Sequence, residues 1–167
     1  KVVDQNNNAT VFGYDALNRK VTETTSSGTR TFVYDPAGNL VQSIDRNGRI
    51  IAYTYDPLNR RLREEWVDPG TGSTLRSIGW SYDLAGRLLS ATDPDTTYTY
   101  AYDDLGRMKS VTTAGSPLLP ELVLAYTLDA RDRSTGVAAT LAGQPVLSNG
   151  YIYDAVTYRL TGLGQTG

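Results

Sequence analysis

Apolar and threonine residues alternate with polar ones in short runs, and each run stops at a cluster of Asp, Gly, Asn, Pro or Ser. Alternation puts every second side chain on the same face of an extended chain, whereas a helix would need apolar positions three and four apart. The pattern predicts strands at about 10–14, 19–24, 30–34, 39–44, 50–55, 60–66, 75–82, 87–91, 97–102, 107–112, 121–128, 133–139, 145–153 and 158–163. No window of useful length carries a helical period. The fold class expected is all-β: antiparallel hairpin repeats in a meander.

The strands are not independent of one another. A Tyr-Asp pair closes a strand at Tyr14-Asp15, Tyr34-Asp35, Tyr55-Asp56, Tyr82-Asp83, Tyr102-Asp103 and Tyr153-Asp154, and a further copy, Leu128-Asp129, has leucine for tyrosine. Two residues before each pair stands another aromatic: Phe12, Phe32, Tyr53, Trp80, Tyr100, Tyr126 and Tyr151. That spacing places both rings on one strand face, so rings of successive hairpins are expected to form a ladder. The aromatics outside the pattern are Trp66, Tyr98 and Tyr158.

After each aspartate the residues are those of a turn. Pro36 and Pro57 follow directly, and Asn18, Gly38, Asn59, Gly86 and Gly106 stand three positions on. This is type I turn chemistry, with a residue able to turn left-handed at its end and an Asp side chain to hold the backbone amide two residues later. Arg19, Arg60, Arg87, Arg107 and Arg133 come next. A second set of turns joins the hairpins at 4–8, 26–28, 45–48, 68–73, 93–97 and 113–117.

Composition narrows the function. At 167 residues and 40% hydrophobic the chain is long enough for a sizeable core. A net charge of −2 without a Lys/Arg block argues against nucleic acid, and no apolar run is long enough for membrane insertion. The absence of cysteine excludes disulfides and thiolate metal sites, and the absence of histidine removes the usual general base and commonest metal ligand. The repeated aspartates share one local role, whereas acid/base pairs need different environments. No catalytic residue, cofactor or metal is assigned. "GLGQTG" at 162–167 fits a dinucleotide fingerprint and "NAT" at 8–10 a glycosylation sequon, and neither is expected to act as a site.

The unit "WSYDLAGRLL" at 80–89, with "YAYDDLGRM" at 100–108, resembles the RHS or YD repeat. The resemblance covers nearly all of residues 1–167, about seven units, and implies one spiralling sheet that is part of a hollow shell. In bacterial toxin complexes and polymorphic toxins such a shell encloses a toxic polypeptide; in the more distant teneurins it serves adhesion. It also implies a secreted or cell-surface bacterial parent longer than this chain, whose flanking repeats are the immediate partners. Two copies depart from the rule: "YTLDARDRST" at 126–135, and "YIYDAVTYRLTGLG" from 151, where Thr157-Tyr158 stands in place of Gly-Arg. The alternative fold is a β-propeller with two hairpins per blade. The alternative function is carbohydrate or receptor binding, for which Trp66, Tyr98 and Tyr158 are the candidate contacts.

Overall fold

The alternating runs fold as strands. The computed structural model describes residues 1–5, 7–114 and 120–166, and its only regular elements there are fifteen strands joined by turns. A first compact unit, Lys1–Trp80, holds β1 (Val2–Val3), β2 (Ala9–Tyr14), β3 (Lys20–Thr25), β4 (Gly28–Tyr34), β5 (Leu40–Ile44), β6 (Ile50–Tyr55), β7 (Arg61–Val67) and most of β8 (Thr74–Tyr82). A second unit begins at Ser81 and holds β9 (Leu88–Thr92), β10 (Thr97–Tyr102), β11 (Met108–Ala114), β12 (Leu122–Leu128), β13 (Ser134–Leu141), β14 (Gln144–Tyr153) and β15 (Leu160–Thr166).

Each strand pairs with its neighbours in sequence, in the order β1 to β15, and the sheet does not close. The all-β antiparallel meander is therefore as expected. A propeller would divide the order into separate four-stranded blades, and this order does not divide. β1 is an addition, because two residues are too few to show alternation. The expected turn at 113–117 lies largely outside the described residues.

The return strands start one or two residues later than the alternation suggests: β3 at Lys20, β5 at Leu40, β7 at Arg61, β9 at Leu88, β11 at Met108, β13 at Ser134 and β15 at Leu160. The residue before each is held in the turn, its carbonyl accepting the amide of the turn aspartate. A bulge follows at once. Tyr34 faces Leu40 but Val33 faces Gln42, so Val41 is left without an opposite residue, and the same slip recurs at the Tyr14, Tyr55, Tyr102, Leu128 and Tyr153 ends.

A sizeable core does not form. Ala139, 6% exposed, is the one buried hydrophobic among the described residues, and accessible surface totals 11,249 Å². The reason is architectural: a single sheet half-covers its side chains with their neighbours, and no second layer packs on it among the described residues. Stability must come from the ladder of backbone hydrogen bonds and from contacts between successive hairpins.

Candidate functional site

The repeat motif is where charged and phenolic groups concentrate. In all seven turns the aspartate amide donates to the closing carbonyl at 2.8–3.0 Å, between Asp15 and Arg19 through to Asp154 and Arg159. The residue just before the closing one is left-handed: Asn18 (φ 60°), Gly38 (92°), Asn59 (60°), Gly86 (84°), Gly106 (81°), Asp132 (62°) and Tyr158 (59°). Tyr158 thus takes the glycine position and Arg159 the arginine position, in a turn one residue longer than the others. The sequence had aligned Thr157-Tyr158 with Gly-Arg; the extra residue explains the mismatch.

Each carboxylate is engaged within its own turn. Oδ1 of Asp103 accepts the amides of Leu105 (3.0 Å) and Arg107 (2.9 Å), while Oδ2 accepts Nε of Arg107 at 2.7 Å. Asp15, Asp56 and Asp129 repeat the arrangement with Arg19, Arg60 and Arg133, and Asp83 does so with Arg87. At Asp35 the partner is Asn39, whose side chain bonds both Asp35 and Asn59. Asp154 instead accepts the amides of Val156 and Thr157 and the Thr157 hydroxyl. All seven carboxyls are held below the usual carboxylate range; for Asp103 the Arg107 guanidinium is the leading cause, for Asp83 the Arg87 amide. None has the raised value that a general acid needs.

The tyrosines and arginines connect one hairpin to the next. The Tyr34 hydroxyl donates to the Lys20 carbonyl (3.0 Å), Tyr55 to Leu40 (2.9 Å), Tyr102 to Leu88 (2.9 Å) and Tyr153 to Ser134 (2.9 Å). Each acceptor is the first residue of the preceding return strand, and Lys20, Leu40 and Ser134 stand directly before a bulge. In the other direction Arg19 donates to the Asp35 carbonyl (2.9 Å) and Arg107 to that of Asp129 (2.7 Å). Arg19, Arg87 and Arg133 also lie over the next ring, 4.9, 4.7 and 4.3 Å from the centroids of Tyr34, Tyr102 and Tyr153. Cations intervene in the second row of rings as well: Lys20 is 5.6 Å from the Phe12 centroid and 4.9 Å from Phe32, and Arg61 is 4.6 Å from Tyr53 and 5.7 Å from Trp80. At these places ring and cation alternate. Tyr14, in the first hairpin, is 55% exposed, and Tyr82 ends β8 ahead of the Asp83 turn.

Two of the connecting turns expected from the sequence, at 4–8 and 45–48, are built as the motif turn is: Asp4 with Asn8 repeats the Asp35–Asn39 arrangement, and Asp45 pairs with Arg49. Gly48 is left-handed (φ 79°), the Asp45 amide donates to Arg49, and Asp45 Oδ2 accepts Arg49 Nε at 2.6 Å. Asp-x-x-Gly-Arg was visible there, but Ile44 precedes it in place of tyrosine. These residues lie at the opposite ends of the strands from the Tyr-Asp turns.

The three aromatics outside the pattern occupy separate places. Trp66, 47% exposed, borders a groove of about 300 Å³ with Ile50, Ile51, Pro69, Leu75 and the Asp45–Arg49 pair. Tyr98 borders one of about 240 Å³ with Pro120, Leu122 and Leu141. Tyr158 carries Arg131 over its ring at 3.9 Å. Among the described residues no three acidic side chains gather to hold a metal ion.

Residues 34–65 and 82–117, which contain four of these turns, match the family model described as RHS Repeat. These two segments are RHS repeats. Crystal structures of TcdB2-TccC3-Cdc42 and TcdB2-TccC3-TEV share its fold at 19% identity and a TM-score of 0.53. TcdB2-TccC3 without the hypervariable C-terminal region does so at 18% and the same score. In each case 92% of this chain is covered but 10% of the other, so the RHS segment spans about a tenth of those chains. No curated protein matches it. No helix among the described residues is long and apolar enough to cross a membrane.

Proposed function

We propose that this RHS segment is a piece of wall, a structural stretch of a β shell that encloses a toxic or unfolded polypeptide. Its parent would be a longer, secreted or surface-exposed bacterial toxin-type protein, and its direct partners the flanking repeats of that parent. The observation that carries this reading is how the polar groups are used. The turn carboxylates and their arginines are engaged in closing hairpins and joining one to the next, as are the tyrosine hydroxyls at Tyr34, Tyr55, Tyr102 and Tyr153. A sheet with almost no core of its own suits a wall better than a reaction centre, and no catalytic residue is assigned. The test is protease protection in the full-length parent. The enclosed polypeptide should resist digestion while the repeats are intact and become sensitive in a Tyr102→Phe/Arg107→Ala variant. Equal digestion of both would sink the proposal.

A second reading rests on Trp66. Its half-exposed indole, in an apolar groove closed at one side by the Asp45–Arg49 pair, has the mixed lining of a glycan or receptor contact. Binding to a glycan array that disappears in Trp66→Ala, with the sheet's circular dichroism unchanged, would support it; an array without hits would end it.

A further inference from the structure

The unit that breaks the tyrosine rule leaves a gap with a defined shape. In the regular copies the tyrosine reaches back to the start of the preceding return strand, its hydroxyl on the carbonyl of Leu88 or Ser134. For Leu128 the equivalent carbonyl belongs to Met108, and leucine has no hydroxyl to offer it. Arg87 and Arg133 lie over the rings of Tyr102 and Tyr153; Arg107, in the same position, has Leu128 where a ring would be. An open groove of about 370 Å³ occupies this place, lined by Arg107, Met108, Tyr126, Leu128, Asp132 and Ser134.

We propose that this groove is a binding site for a phenol ring, which takes the position of the missing repeat tyrosine. The groove has room for a ring, about 150 Å³ being enough for benzene, and it is open on one side to admit one. The cation is held in place: Arg107 bonds the Asp103 carboxylate (2.7 Å), the Asp129 carbonyl (2.7 Å) and Asp132 Oδ1 (2.9 Å), so its guanidinium needs no reordering to cover a ring. The carboxylate of Asp132 at the rim disfavours anionic aromatics, which leaves a neutral phenol as the ligand class. Two sources share that chemistry, a free small phenol and a tyrosine side chain of a polypeptide.

Met108 is the single methionine of the chain, so a methyl-labelled sample reports on this site alone. p-Cresol should shift the Met108 methyl resonance saturably, and toluene should bind about fivefold more weakly for want of the hydroxyl. N-acetyltyrosinamide separates the sources: saturable binding points to a polypeptide tyrosine, and its failure beside p-cresol points to a free phenol. Leu128→Tyr should fill the groove, abolish p-cresol binding and raise the melting temperature. No saturable shift with p-cresol, or equal binding of toluene, overturns the proposal on the natural chain, whatever becomes of the variant.

Discussion

At the residue scale, each part of the motif has a separate physical task. The tyrosine is needed for its hydroxyl as well as its ring, because the hydroxyl ties its strand to the first carbonyl of the preceding return strand. Tyr102→Phe should therefore cost about 1 kcal/mol in urea unfolding, and up to about 3 kcal/mol if the Leu88 carbonyl is left dry. A cost near zero would show that water replaces the hydroxyl. The aspartates make a statement about pH. Their folded values lie below those of the unfolded chain, so the unfolded chain takes up protons first as pH falls. Their contribution should be complete above the unfolded carboxylate range, about pH 4, and be lost as pH drops through the lowered folded values. Urea midpoints that stay constant from pH 7 to pH 2.5 would contradict this.

At the scale of the element, the hairpin is fixed by one left-handed residue and one bulge. Gly106 has φ 81°, and a Cβ there would lie 3.0 Å from Nη1 of Arg87. Gly106→Ala should destabilise the chain by about 1–2 kcal/mol, where an alanine at an exposed strand position would change little. Chemical denaturation of the two variants side by side makes the comparison. Asn18, Asn59 and Asp132 hold the same conformation with short polar side chains, which tolerate it best after glycine. The turn at 45–49 shows that the device does not need the tyrosine. Asp, glycine and arginine suffice to close a hairpin, and the tyrosine is added where one hairpin must be joined to another.

For the whole molecule, the scarcity of buried side chains among the described residues makes the edges important. In this chain β15 pairs on one side only, with β14, and Leu163 is 71% exposed there. Such a strand is a template for another chain. The isolated 167-residue chain should associate as its concentration rises, and Leu163→Lys should reduce that association without changing the far-ultraviolet circular dichroism. Sedimentation velocity decides the matter; a monomer at all concentrations for the natural sequence would mean that the edge is already protected. Burial in the parent would come from flanking repeats, consistent with the proposed wall.

The sequence by itself determined the strands, the turns and their repetition, because alternation and turn chemistry act between residues a few positions apart. Asn18, Gly38 and Gly106 could be read as left-handed from spacing alone, and Tyr-Asp marked where strands end. The one-residue delay of the return strands was not legible, since the closing residue satisfies the aspartate through its backbone, which every residue type possesses. Nor was the task of the tyrosine hydroxyl, whose acceptor lies 14 or more residues back, across a strand pair. Composition suggested a core, yet only the tertiary arrangement decides whether apolar faces find a second layer, and here a single sheet leaves them half-covered. The same holds for the groove beside Met108. Leu128 was visible as an exception, but the space it leaves exists only when the neighbouring hairpins are in place.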